Sequence, residues 1–202
     1  MKDIMMIVTR SARSIPGCSI VFISPVEAFI AHVSLTIYLS LFISSPYILY
    51  QIWAFVSIAL TEREKRFISL YFPVSSVLFC AGALFGYTVI VPMGLRFLIG
   101  FAADSMTPML TVSRYISFVG MLTIAFGVIF QVPLVMVCLT GTGIAEPDLF
   151  TSKRKTVIVL IFIAAALLTP PDVVTQLLMA VPLLLLYETG VICSRIVHNR
   201  QK

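Results

Sequence analysis

Residues 28–56 read AFIAHVSLTIYLSLFISSPYILYQIWAFV, and His32 is the one acidic or basic side chain among them. A helix needs roughly 20 consecutive apolar residues to cross a bilayer, and this run is longer. Two further runs without acidic or basic side chains, 67–95 and 115–145, also exceed that length. The sequence therefore predicts an integral membrane protein.

Two shorter apolar runs lie near the end of the chain, at 156–171 and 173–187. The turn Thr169-Pro170-Pro171-Asp172 separates them, which predicts two short helices with a tight connection. About 14 helical residues reach only roughly 21 Å, less than the roughly 30 Å of a hydrocarbon core. We predict about five spans, the last two of them short. Their predicted positions are 28–56, 67–91, 114–140, 156–169 and 173–193.

The composition excludes a soluble domain. Of the 202 residues, 59% are hydrophobic and only 11% are charged, and the mean hydropathy is +1.05. A soluble domain carries roughly one quarter charged residues. Runs such as 157–163 lack the alternation of a barrel strand, so the predicted fold class is an all-α transmembrane bundle.

The distribution of Lys and Arg predicts the orientation, because short basic loops stay in the cytoplasm. One set of alternate loops, with the C-terminal tail, holds nine basic residues and the other set holds five. We therefore expect a multi-pass membrane protein with its N-terminus outside and its C-terminus in the cytoplasm. The net charge of +5 needs no nucleic acid, because topology and anionic lipid account for it.

No internal repeat or long linker divides the chain, which predicts one membrane domain over 1–202. Within it we expect an extracytoplasmic N-terminal segment at 1–27, the helix bundle at 28–193 and a cytoplasmic tail at 194–202. Gly82 and Gly86 form a G-x-x-x-G pattern, which is interpreted as ordinary helix packing. An aromatic belt of Tyr47, Tyr50, Trp53 and Phe55 is predicted at the end of the first span.

The sequence lacks the residue combinations that the common catalytic and metal sites need. The two histidines, His32 and His198, lie far apart, and no G-x-S-x-G, P-loop or H-E-x-x-H pattern occurs. No two carboxylates share the interior of a span, and no C-x-x-C occurs. We expect no enzyme, no metal site and no cofactor.

Four polar positions are candidates for function, each with a structural alternative. Glu64, in a short loop, is able to bind a guanidinium group or to be a solvated acid at a helix N-terminus. Gln131 is placed to meet a polar group on a partner helix or to satisfy the Ile129 carbonyl that Pro133 leaves unpaired. Asp172 is either an N-cap or a polar lip. Glu188 is interpreted as a residue at the membrane–water interface rather than a buried proton carrier.

Several motifs occur in the order of a known family, and the chain resembles TatC, the multispanning core subunit of the twin-arginine protein translocase. The resemblance covers nearly 170 residues. Its motifs are Ser24-Pro25-Val26-Glu27-Ala28-Phe29, Tyr50-Gln51-Ile52-Trp53-Ala54-Phe55, Glu64-Lys65-Arg66, Gly82-Ala83-Leu84-Phe85-Gly86-Tyr87, Phe126-Gly127, Thr169-Pro170-Pro171-Asp172 and Leu186-Tyr187-Glu188.

The resemblance implies a concave bundle that recognises the paired arginines of signal peptides on folded cargo and is driven by the proton-motive force. Glu64 and Phe55 are similar to family positions at the signal-peptide site. Gln131 resembles a membrane-buried position that receives single-span partners of the TatA and TatB type. Asp172 resembles an acidic residue at the extracytoplasmic end. A homo-oligomer within the complex and a location in the inner (plasma) membrane are also implied.

The chain departs from the family pattern in two places. The family has six transmembrane helices, and this sequence begins in what resembles the first outer loop, so we expect five spans. The family often has glutamate at the position of Gln131, which puts a charge-dependent role there in question but not hydrogen bonding. A secondary transporter and a non-functional truncated copy are the alternative functions.

Overall fold

The structure, a computed structural model, describes residues 19–21, 24–58, 62–102, 109–168 and 173–201. Over 62–70 it describes the backbone alone. The predicted spans coincide with long helices: α1 is Pro25–Ile58, α2 is Glu62–Phe85 and α3 is Val91–Ala102. They are followed by α4 at Val112–Ile129, α5 at Val132–Gly141, α6 at Pro147–Ser152, α7 at Arg154–Leu168 and α8 at Val173–Gln201.

Prolines explain where the second and third spans change their helical winding. A π-helical segment, Gly86–Ile90, joins α2 to α3 just before Pro92. A turn at Phe130 and Gln131 separates α4 from α5 just before Pro133. Proline has no N–H to donate to the preceding turn, so regular helical bonding is interrupted at such positions.

Among the residues that the structure describes, four helical stretches are long and apolar enough to cross a membrane. They are Pro25–Ser57, Tyr71–Phe97, Val112–Gly141 and Val173–Asn199. The fourth predicted span corresponds to α7, which has 15 residues and is short, as predicted. The last helix corrects the prediction: α8 has 29 residues, because its helix continues past the charge-free run through Glu188 and Arg195.

The chain divides into two compact units, to each of which α1, α2 and α4 contribute a part. The first unit comprises 1–44 and 83–125. It contains a short parallel pair of strands, β1 at Ser19–Val21 and β2 at Met109–Thr111. Its buried apolar residues include Leu35, Ile90, Val91, Leu95, Tyr115, Ile116 and Leu122.

The second unit comprises 45–82 and 126–202. Helices α5 and α8 pack closely in it, because Gly190 leaves room for Met136 and for the backbone of Pro133. Its buried apolar residues include Trp53, Phe79, Phe126, Leu134, Met179, Leu183, Tyr187 and Val191.

Many large apolar side chains remain exposed along the helices. Phe29, Ile43, Val77 and Leu167 are each at least 70% exposed. Water would penalise such a surface, whereas lipid tails are as apolar as these side chains. The exposure agrees with the bilayer as the solvent of these helices.

Candidate functional site

In the second unit, α2 runs antiparallel to the end of α4 at very short range. A Cβ on Gly82 would lie 2.6 Å from the backbone oxygen of Phe126, and a Cβ on Gly127 would lie 2.7 Å from the ring of Phe79. Only glycine allows the two backbones to approach this closely. For Gly82, the packing interpretation of the G-x-x-x-G pattern is therefore confirmed.

This register brings Ser75 of α2 to Gln131. The Ser75 hydroxyl donates to Gln131 Oε1 at 2.6 Å, and Gln131 Nε2 donates to the Ser75 backbone oxygen at 3.0 Å. Ser75 is fully buried, whereas Gln131 is partly exposed. The two residues thus form a reciprocal pair, in which residue 131 supplies one acceptor and one donor.

The pair decides between the two alternatives for Gln131 only in part. The hydrogen bond that Nε2 makes runs to Ser75 and not to the Ile129 carbonyl, so the local alternative is wrong. Among the described residues, the polar partner of the Gln131 amide is Ser75, on α2 of the same chain. A role toward a partner helix stays a prediction.

The end of α1 places two aromatic side chains in opposite environments. Trp53 is 6% exposed, stacks on Tyr71 with ring centroids 5.5 Å apart, and packs against Leu134 and Cys138. Phe55, two residues later and so on the other side of the helix, is 76% exposed. The belt prediction is therefore wrong for Trp53, which is a core residue, whereas Tyr47, Tyr50 and Phe55 are exposed.

Glu64 lies in the first turn of α2, which begins at Glu62. Three residues, 59–61, separate this helix from the end of α1. Glu64 and Phe55 are therefore brought to the same helical hairpin by the chain path. Asp172 lies outside the described residues, so its assignment stays a prediction.

Glu188 is ion-paired. Its Oε2 accepts from Arg154 Nη2 at 2.8 Å, and the two side chains are 44% and 45% exposed. Beside it, the hydroxyl of buried Tyr187 donates to the Phe150 backbone oxygen at 2.6 Å. These contacts attach α8 to α6 and α7, and the predicted position of Glu188 at the membrane–water interface stays a prediction.

We expect Tyr187→Phe to lower the free energy of unfolding by about 1 kcal/mol, because it leaves the Phe150 carbonyl without its donor. Glu188→Gln is expected to cost less, because an exposed ion pair contributes about 0–1 kcal/mol. Unfolding of the purified protein in mixed micelles, followed by the fluorescence of its single tryptophan, measures both. A larger loss in Glu188→Gln than in Tyr187→Phe would contradict this ranking.

Two polar residues of the site region were not predicted. In the sequence, nothing distinguishes Ser75 from other serines in the spans. The register of α2 against α4, which brings Ser75 to Gln131, cannot be read from the sequence. Gln176, in α8, donates from Nε2 to the Phe162 backbone oxygen at 2.9 Å. It borders an apolar recess lined by Val159, Phe162, Ile163, Ala166 and Leu167. An amide inside an apolar span was the available signal for Gln176.

Comparison with known proteins assigns the chain to one family. Residues 1–182 match the family model described as Sec-independent protein translocase protein (TatC). The TatC protein of Aquifex aeolicus (strain VF5) is 40% identical over 193 residues, which cover 94% of this chain and 80% of that protein. The TatC protein of Escherichia coli (strain K12) is 39% identical over 179 residues, which cover 89% of this chain and 69% of that protein.

A solved structure is similar along nearly the whole chain. The crystal structure described as twin arginine translocase receptor TatC superimposes with a TM-score of 0.87 at 38% identity. The match covers 97% of this chain and 87% of that one. Sequence and fold therefore agree, and the chain is a multi-pass membrane subunit of a transport system rather than an enzyme. It belongs to the TatC family of Sec-independent protein translocase proteins.

Proposed function

We propose that the chain is a receptor subunit that binds twin-arginine signal peptides at the helical hairpin of α1 and α2 and receives single-span TatA- and TatB-type partners at Gln131. Family membership supports this function, and a solved relative carries the name of twin arginine translocase receptor. The observation that carries it here is the end of α1, where Trp53 is held in the core and Phe55 is left exposed.

The signal-peptide site combines a charged and an apolar group. The Glu64 carboxylate supplies an acceptor for a guanidinium group, which pairs with carboxylates through two parallel hydrogen bonds. Phe55 supplies an exposed aromatic surface for the apolar segment of the peptide. Because Trp53 packs on Tyr71, the end of α1 is anchored and Phe55 is presented without reorganisation of the helix.

The proposed orientation puts this hairpin in the cytoplasm and Asp172 at the extracytoplasmic end. Lys and Arg on alternate loops support it. The same assignment places Lys153 and Lys155, both exposed, on the cytoplasmic side. There they lie where anionic headgroups attract basic residues.

We expect Phe55→Ala to weaken binding of a twin-arginine signal peptide by about three- to tenfold, because an aromatic side chain loses its buried contact with the peptide. Photo-crosslinking of a labelled peptide to the protein in membranes measures this. The free energy of unfolding should not change, since Phe55 is exposed in the folded chain.

Two variants serve as controls for Phe55. Ile43→Ala removes an equally exposed apolar side chain about three turns earlier on α1 and should leave binding unchanged. Trp53→Ala should instead lower the free energy of unfolding by about 3–5 kcal/mol, because it opens a cavity in the core. Equal losses of binding in Phe55→Ala and Ile43→Ala would remove Phe55 from the proposed site.

A further inference from the structure

The Ser75–Gln131 pair leaves one polar group of Gln131 unused within the described part of the chain. A glutamine amide carries two N–H groups and one oxygen. Ser75 uses the oxygen through its hydroxyl and one N–H through its carbonyl. The second N–H remains, on a residue that is partly exposed in a membrane span.

The exposed surface around Gln131 is apolar. Val128 and Val135 are 58% and 46% exposed, and their spacing of three and four residues puts them on the same helical face as Gln131, with Val132, 40% exposed, beside it. Lipid tails cannot accept a hydrogen bond, so an N–H on this face stays unsatisfied until an oxygen approaches it. A second helix with small or apolar residues can lie against valines and bring such an oxygen.

We propose that Ser75 is a positioning residue that holds the Gln131 amide with its oxygen engaged and one N–H toward this valine face. The face then selects a single-span helix that carries a hydrogen-bond acceptor at the matching depth. This inference rests on the proposed partner site at Gln131 and adds the residue that orients it and the chemistry that it recognises. Without the Ser75 hydroxyl, Gln131 Oε1 has no donor and is free to turn toward the face, so the amide offers an acceptor as well as a donor and the preference for an acceptor is lost.

Three synthetic single-span peptides of about 20 residues test the preference. They share one leucine and alanine sequence with a photoreactive leucine, and they differ only in their central residue, which is leucine, asparagine or methionine sulfoxide. The sulfoxide oxygen accepts hydrogen bonds but donates none. Each peptide is crosslinked to the full chain in liposomes of phosphatidylcholine and phosphatidylglycerol, and crosslinks to Val128 and Val135 are quantified by mass spectrometry.

With the unaltered chain, the asparagine and sulfoxide peptides should each crosslink about three- to tenfold more than the leucine peptide. In Ser75→Ala, the sulfoxide peptide should fall to within about twofold of the leucine peptide, whereas the asparagine peptide, which can also donate to the freed Oε1, should keep its advantage. Ser76→Ala is the matched control, because the Ser76 hydroxyl donates to the Phe72 carbonyl of its own helix among the described residues, and its ratios should be unchanged. A purely structural loss would lower all three peptides together and leave the ratio intact.

A sulfoxide peptide that crosslinks to the unaltered chain no better than the leucine peptide, or an undiminished ratio of sulfoxide to leucine crosslinks in Ser75→Ala, would overturn the inference. Equal crosslinking of all three peptides at the valine face would do so while leaving the partner site standing. Absence of crosslinks on that face would overturn both. If Ser75→Ala does not give a monodisperse protein, Ser75→Cys decides, since its weaker thiol donor should give an intermediate ratio.

Discussion

Replacing Glu64 by alanine is expected to reduce crosslinking of a twin-arginine signal peptide by about tenfold or more. Removal of one partner of a charge-assisted hydrogen bond costs roughly 1.5–3 kcal/mol, which corresponds to this loss. The effect should be larger than that of Phe55→Ala, because two guanidinium groups cannot be desolvated without an acidic partner. The measurement is photo-crosslinking of the labelled peptide to the chain in membranes over a range of peptide concentrations.

Glu62→Ala is the matched control for this variant. Glu62 is a second acid of the same helix start, so its removal changes the local charge equally without removing the proposed ligand. Signal-peptide binding to Glu62→Ala should stay within about twofold of binding to the unaltered chain. A peptide with two lysines in place of its arginines should bind the unaltered chain more weakly, because lysine cannot make the bidentate contact. Equal losses of peptide binding in Glu62→Ala and Glu64→Ala would mean that the net negative charge, and not a specific contact with Glu64, attracts the peptide.

A large effect on stability is also expected from Gly82→Ala. The added methyl group would lie 2.6 Å from the backbone oxygen of Phe126 and equally close to the Phe130 ring. A backbone atom cannot move aside, so α2 and α4 must separate, and the Ser75–Gln131 pair must lengthen with them. We expect the free energy of unfolding to fall by about 3 kcal/mol. Thermal loss of helical circular dichroism in detergent micelles measures it.

Gly100→Ala is the control for Gly82→Ala. A Cβ on Gly100 meets no atom of the described residues within 4 Å, and this residue lies in α3 with no strained backbone angle. Alanine is the better helix former by roughly 0.5–1 kcal/mol, so this variant should be as stable as the unaltered chain or slightly more so. If Gly82→Ala unfolded no earlier than Gly100→Ala, the close approach of α2 and α4 would be refuted.

Sequence reasoning was most successful where a property belongs to a segment as a whole. The charge-free runs predicted the positions of the spans, and helices lie at all five. Proline by itself does not predict an interruption here, because a turn precedes Pro133 but Pro46, Pro73 and Pro182 lie within continuous helices. The length of α8 was underestimated because a helix, unlike a lipid-soluble segment, does not have to end at its first charged residue.

The candidate site was predictable residue by residue but not as an arrangement. Gln131 was recognisable as an amide in a span, yet its partner Ser75 lies 56 residues away in the sequence. Phe55 and Trp53 are both aromatic residues at the end of one helix. Only the neighbouring helices decide that one is buried and the other exposed.

The amino-acid sequence alone determined that lipid is the solvent of this protein and which segments are helical within it. Transfer into a bilayer depends on the apolar content of each segment, and that content can be read locally. The tertiary structure decided which polar groups meet inside the second unit. Contacts between polar groups of two helices depend on the register of the helices, which here is set by the close contacts of Gly82 and Gly127. This register cannot be predicted from any local property of the chain.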